Sequence, residues 1–260
     1  MMPYTLKLLY SGSDGNAALL CAAGRTVLID AGRTCKCLCA ALREAGIDPD
    51  ALDAVFLTHE HRDHTAALDV FLKHHPVPVH VTERSAEKML PRMGESLRKQ
   101  LVIHPPLYCV EVGAITFSSF PTSHDSVQSV GFRITVREGE KTHTLGYATD
   151  LGTVTPAVEN GLCGCEAVVL ECNHDEQMLM DGPYPWDLKR RIASPKGHLS
   201  NRDCAAFAAR LAATGMRRLL LAHLSETNNL PELALAEVKS ALAGTGVHIV
   251  AAAPDHITEL

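Results

Sequence analysis

The segment Thr58-His59-Glu60-His61-Arg62-Asp63-His64 constrains this chain more than any other, because it crowds four potential metal ligands into six residues. It follows Ala54-Val55-Phe56-Leu57, a short apolar run that reads as a buried strand. In extended chain His59 and His61 lie two apart and point to one side. Asp63 and His64 come where residues 65–73 open a helix, and the turn lets this second pair face a different point. Two imidazoles aimed at one place, with a carboxylate and an imidazole aimed beside it, make half of a two-metal site. Histidines also cluster on solvated surfaces, and the chain has 14 of them. A solvated face does not call for the order His-x-His-x-Asp-His directly off a strand end.

A metal pair needs further ligands, best held at strand ends by a rigid scaffold. Residues 115–120 read as a strand that leads to His124, residues 142–148 as one that leads to Asp150, and residues 218–222 as one that ends in His223. Taken singly, a His or Asp after a strand is more often a turn or capping residue. An ionised carboxylate such as Asp150 can serve two cations, because its two oxygens offer about four lone-pair sites.

The order His-x-His-x-Asp-His, then His, then Asp, then His, each after a strand, resembles the metallo-β-lactamase superfamily from Leu6 to about Val250. The resemblance implies that His59, His61 and His124 hold one metal, and that Asp63, His64 and His223 hold the other with Asp150 between them. Asp30, after residues 26–29, matches the superfamily's first acidic motif and is expected to support the ligands from behind. The implied fold is α+β, a four-layer αββα sandwich. Longer phrases resemble the YycJ/WalJ branch: Ser11-Gly12-Ser13-Asp14-Gly15-Asn16, Leu170-Glu171-Cys172-Asn173-His174-Asp175, Gly197-His198-Leu199-Ser200-Asn201 and Ala222-His223-Leu224-Ser225-Glu226-Thr227-Asn228-Asn229. That branch is associated with nuclease activity on DNA, including degradation from a 5′ end. Ser129-Val130 and the pair Cys37 and Cys39 depart from the pattern, and none of them falls on a ligand position.

No Gly/Ser-rich linker, charge block or repeat divides the 260 residues, so one hydrolase domain spanning 1–260 is expected. The N-terminus carries no signal-peptide pattern, the apolar runs are too short to span a membrane, and nine cysteines is an odd number. These features point to reduced thiols in the cytoplasm and to no membrane partner. The spacing of Cys35, Cys37 and Cys39 on a helix does not face one point, so they read as buried or half-buried thiols, as do Cys163 and Cys165. Strand-like runs also fill 6–9, 17–22, 79–81, 130–137 and 167–170, and helices are expected over 35–45, 65–73, 200–214 and 231–242, with Ser200 and Asp203 forming a capped start.

Two divalent ions against Asp63, Asp150 and a bridging hydroxide nucleophile leave a net positive centre, suited to a phosphodiester and its transition state. The all-nitrogen-and-oxygen donor set fits zinc, manganese or iron. Asp63 can also orient the hydroxide. His198 is the candidate general acid, Glu171 the residue that orients it, and His174 a supporting neighbour. Lys189, Arg190, Arg191 and Lys196 share its segment and read as phosphate contacts. The alternative for those cations is a solvated helix face. Trp186 either stacks on a base or anchors its loop in the core, and the core is favoured. A net charge of −6 argues against a binder that uses its whole surface. DNA is thus the expected substrate. The alternatives are a small-molecule phosphodiesterase, thioesterase or lactonase on the same scaffold, an RNA nuclease, or a non-catalytic regulatory partner. Oligomeric state is left open by the sequence.

Overall fold

Alternation along the strands sorts the apolar side chains into three separate cores, and those cores define the layers. The structure is a computed structural model and describes residues 3–260. Its strands in chain order begin with β1 (Tyr4–Tyr10), β2 (Ala17–Ala22), β3 (Arg25–Ile29), β4 (Ala54–Phe56), β5 (Val79–Thr82), β6 (Leu101–His104) and β7 (Cys109–Val112). They continue with β8 (Ile115–Pro121), β9 (Val130–Glu138), β10 (Lys141–Ala148), β11 (Ala167–Glu171), β12 (Arg218–Ala222), β13 (His248–Ala251) and β14 (Thr258–Glu259). Among the described residues these form two seven-stranded sheets, ordered β14-β1-β2-β3-β4-β5-β6 and β13-β12-β11-β10-β9-β8-β7.

Leu6, Leu20, Ile29 and Phe56 of the first sheet meet Phe117, Phe132, Tyr147 and Val169 of the second in the central core. One residue along each strand, the side chains turn outward. Leu28, Val55 and Leu57 pack under Leu38, Leu42 and Phe71 from the helices Cys35–Glu44 and Leu68–His74. On the far side Val168, Leu170, Leu219 and Leu221 pack under Phe207, Leu211 and Val238 from the helices Asn201–Ala213 and Pro231–Ala241. The result is the expected α+β, four-layer αββα sandwich.

Strand direction places the chemistry. β3, β4 and β5 run parallel, as do β10, β11 and β12. β8 is antiparallel to β9 and β9 to β10, so β8 runs with β10. The segments that carry Asp30, Thr58, His124, Asp150 and His223 therefore leave their strands along one edge of the sandwich, where ligands of α/β sheets bind.

Several local expectations change. The helix expected over 65–73 is two pieces, Arg62–Thr65 and Leu68–His74, so Asp63 and His64 sit within the first and not before it. β6, β7, β13 and β14 at the sheet edges, and short helices such as Glu83–Met89 and Trp186–Ile192, carry too few residues to show a period of their own. Trp186 is 58% exposed and not in the core. It opens a surface helix whose buried residue is Lys189, so the indole has no layer to enter. Cys37 is exposed as well, on the outer side of its helix. Among the described residues no helix is long and apolar enough to cross a membrane.

Phe117 is fully buried, and its ring stacks on Phe56 at a centroid distance of 4.0 Å. Phe117→Ala is expected to lower stability by about 3–5 kcal/mol, read as a lower urea midpoint with an unchanged slope.

Candidate metal centre

The residues at the strand ends hold unusual backbone. Asp30, Asp150 and His223 lie at φ of 61°, 55° and 57°, the left-handed region that residues other than glycine and asparagine seldom occupy. Each costs on the order of 1 kcal/mol or more and persists because its surroundings fix it. The fixing contacts are on hand: Asp30 N–H donates to Phe56 O at 2.9 Å, and His223 N–H donates to Ser11 Oγ at 2.8 Å. Gly32 stands where no side chain fits, since an added Cβ would lie 1.9 Å from Asp63 O.

This scaffold brings the seven predicted ligands together. The donor atoms of His59, His61 and His124 lie within 4.8 Å of one another, and so do those of Asp63, His64 and His223. Asp150 stands between the two triads. Its Oδ1 is 3.7 Å from both His124 Nε2 and His223 Nε2, and its Oδ2 is 3.1 Å from His64 Nε2. Three buried atoms of the cluster, His59 Nε2, His223 Nε2 and Asp150 Oδ2, make no hydrogen bond; the 3.1 Å approach to His64 is close enough for charge attraction but is not aligned for one. Buried polar atoms rarely go unsatisfied. A divalent cation fits this donor set, because it would give each of these atoms a partner.

Four of the imidazoles are oriented from behind, each through Nδ1. His59 Nδ1 lies 3.0 Å from Thr58 Oγ1, which in turn donates to Asp30 Oδ2 at 2.9 Å. His64 Nδ1 lies 2.8 Å from the same Asp30 carboxylate. His124 Nδ1 donates to Gly197 O at 3.1 Å. His223 Nδ1 is 2.9 Å from Glu171 Oε1. Holding the proton on Nδ1 leaves Nε2 as the donor to a metal. Asp30 thus contacts His64 directly and His59 through Thr58.

Glu171 contacts two imidazoles. Its Oε1 is 2.8 Å from His198 Nδ1 as well as 2.9 Å from His223 Nδ1, while Oε2 accepts from Leu151 N–H at 2.9 Å and Leu199 N–H at 3.1 Å. One fully buried carboxylate therefore ties His198 to a member of the second triad. His198 is part-exposed, with Nε2 left for the cleft that it lines together with Asp125, Tyr184 and Arg191.

Charge balance follows the same lines. Burial would raise the carboxyl of Asp150, but His223, His64 and His124 outweigh it and hold it well below the usual range. Burial is likewise overcome at Glu171, which His198 and His223 hold down to about 2. Burial disfavours a charged His223, yet Asp150, Asp63 and Glu171 raise it to about 10. His64 is pushed up against burial by Asp63, Asp150 and Asp30. His59 is driven down by burial and by its imidazole neighbours, and His124 moves the same way, mainly through burial. Ionised acids in a buried cluster call for cations, and without a metal two imidazoles must serve.

Some predicted residues sit elsewhere. His174 is buried, pairs through its backbone with Ser200 and lines a neighbouring hollow beside His198, outside both triads. Lys189 is corrected: it is buried, and its ammonium donates to Met180 O at 2.6 Å, so it is committed to the fold and not to a phosphate. Arg190, Arg191 and Lys196 are exposed, and Arg191 alone of these lines the cleft at His198, with its Nε bound to Asp125. Four further participants were not singled out by sequence. Asn16 Nδ2 reaches Asp63 Oδ2 at 3.4 Å and His64 Nε2 at 3.2 Å. Asn173 Nδ2 donates to His223 O at 2.8 Å. Thr58 links Asp30 to His59, and Asp125 lies 3.3 Å from His124 Nε2. Asn16 and Asn173 lie in phrases that carry the resemblance, the only sequence signal they offered.

Comparison with known proteins agrees with this geometry. The β-lactamase superfamily domain matches residues 25–224. Exodeoxyribonuclease YycJ of Bacillus anthracis is 32% identical over 252 residues, 97% of this chain and 94% of its own. Exodeoxyribonuclease WalJ of Streptococcus pneumoniae is 32% identical over 265 residues, 99% of this chain and 97% of its own. The crystal structure of the metallo-β-lactamase fold protein YhfI from Bacillus subtilis superposes with a TM-score of 0.74 at 19% identity, each chain covered in full, and supports the fold. The chain belongs to the metallo-β-lactamase superfamily, in the branch that includes the YycJ and WalJ proteins. It is by class a metal-dependent hydrolase.

Because His64 and His223 hold protons in the metal-free cluster, cation uptake must displace them. Titration with Zn²⁺ near neutral pH, in buffers of different ionisation enthalpy, is expected to show release of about one to two protons per chain. The apparent affinity then rises with pH toward the value of about 10 held by His223 and falls on acidification. Uptake with no proton released would contradict this charge arrangement.

Proposed function

We propose that this chain is one hydrolase domain that degrades DNA from a 5′ end, with two divalent ions in the centre described above. The observation that carries the reading is the double triad joined by Asp150, with His198 held beside it by Glu171. In this reading His59, His61 and His124 hold one ion, Asp63, His64 and His223 hold the other, and Asp150 serves both. DNA as substrate is supported by the exodeoxyribonucleases to which the chain is similar end to end, and the 5′ polarity by the resemblance to that branch. Zinc, manganese and iron all suit the nitrogen and oxygen donors. When bound, the ions would supply Lewis-acid polarisation of the phosphodiester and an activated water.

The chain's own residues do the rest. Asp63 is part-exposed at the edge of its triad and accepts a hydrogen bond that orients the attacking water. Burial opposes charge on His198, but Glu171 raises its basicity and orients the ring so that Nε2 faces the cleft. From there it protonates the leaving oxygen, a role that typically contributes a factor of about 100 to 10,000. Glu171 keeps the ring in place and stays ionised. Arg191, with its Nε held by Asp125, keeps its terminal nitrogens for a phosphate oxygen.

Purified protein loaded with Mn²⁺ or Zn²⁺ is to be assayed on DNA labelled at its 5′ or 3′ end, on RNA, on bis(p-nitrophenyl) phosphate and on thioesters. Progressive shortening from the 5′ end is expected. Turnover of thioesters with no attack on DNA overturns the reading in favour of a small-molecule hydrolase, and preferential cleavage of RNA overturns the choice of substrate. His198→Ala is expected to keep its metal and its fold while single-turnover cleavage falls about a hundredfold or more. Cleavage at the normal rate would make His198 a structural residue.

A further inference from the structure

On the side of the centre away from His198 lies a second and larger cleft. It has a volume of about 500 Å³, against about 190 Å³ for the hollow at His198. His61 opens onto it, and Asp125 lines both hollows, so the two meet at the first triad. Its walls come from the helix start at Arg62 and from the segment Glu83–Arg92, to which the sequence assigned no role.

The charges of this cleft fall into two groups. Its carboxylates are engaged by the fold. Glu60 accepts from Val127 N–H at 3.0 Å and from Ser85 Oγ–H at 2.9 Å. Asp69 accepts from Gly94 N–H at 2.8 Å and from Lys73 at 3.3 Å, and Asp125 is bound by Arg191. The cations of the cleft are Arg62, Lys88 and Arg92. All three are exposed, and none has a carboxylate within ion-pair distance among the described residues. Between them the floor carries the part-exposed Met93, with Met89 buried beneath it. Unpaired cations above thioether side chains suit a chain of phosphates whose sugars and bases lie on an apolar surface.

We propose that this cleft is the track for the DNA strand that continues beyond the cleaved bond, held as a single strand by Arg62, Lys88 and Arg92 with its bases against Met93. The smaller hollow at His198 takes the end of the strand. The assignment rests on the reading of the chain as a DNA hydrolase, and it adds where the polymer lies. It also moves the main phosphate contacts from the Lys189–Lys196 segment to the opposite side of the centre. A net charge of −6 is compatible with this, because the cations are unpaired locally and the acids beside them are not free.

The test separates binding from cleavage. A short phosphorothioate single strand, resistant to hydrolysis, is titrated against the metal-loaded protein at several salt concentrations. Replacing Arg62, Lys88 and Arg92 together by Ala is expected to weaken binding about tenfold or more at low salt. The slope of log affinity against log salt should fall by roughly 2, at about 0.7 per phosphate contact on a single strand. Lys88→Ala with Arg92→Ala, both away from the ligand loop, should take roughly two-thirds of that effect. Metal content measured in both variants verifies that the centre is intact. A control with Lys36, Arg43 and Lys239, all exposed elsewhere, changed to Ala removes equal charge and should leave the slope alone. An unchanged slope in the triple variant, an equal drop in the control, or no binding by the parent protein overturns the track. Salt-dependent binding through these residues by a protein that cuts no DNA would instead overturn the proposed reaction and leave the track standing.

Discussion

The buried carboxylate of Asp150 is the constraint around which the rest of the site is arranged. An ionised acid removed from water costs several kcal/mol unless cations and hydrogen bonds surround it. Here three imidazoles approach its two oxygens from three different segments of the chain, and burial alone would have neutralised it. Each of those imidazoles is pinned in turn by a residue behind it: Asp30 for His64, the carbonyl of Gly197 for His124, and Glu171 for His223. Those residues lie just after β3, in the 197–199 loop and at the end of β11. Both sheets must therefore be assembled before the charge of Asp150 is answered, and the site and the sandwich form together.

The same layout explains why Glu171 matters more than a single ligand. It has four contacts, two to backbone N–H groups and two to imidazoles, and it is fully buried. Through it the position of His198 depends on the position of His223. The left-handed backbone at Asp150 and His223 is the strain this arrangement carries, and interlocking contacts such as Ser11 to His223 hold it.

Much of this was legible in the sequence where one residue's type and local neighbours decide its place. His59, His61, Asp63 and His64 follow an apolar strand, and His124, Asp150 and His223 come just after strand-like runs, so their order carried the resemblance that implied the two triads. Ser200 caps its helix through Asp203 N–H as its spacing suggests. What escaped depended on contacts between distant segments. Lys189 looks basic and solvated, yet tertiary packing buries it against Met180 O. Trp186 looks like core, yet its short helix lies on the surface. Asn16 reaches the ligands across 47 residues of chain, which no local pattern reports. The Arg62, Lys88 and Arg92 cleft escaped for a similar reason: an unpaired cation is defined by which acids are already engaged, and that is visible only in the folded chain.

The most direct test of the two-ion centre is anomalous diffraction from crystals grown with Mn²⁺ or Zn²⁺, collected at the edge of the metal supplied. Two peaks per chain are predicted. One should lie within coordination distance of His59, His61 and His124, the other of Asp63, His64 and His223, with an Asp150 oxygen near both. A single peak, or peaks that leave Asp150 uncoordinated, would contradict the central claim.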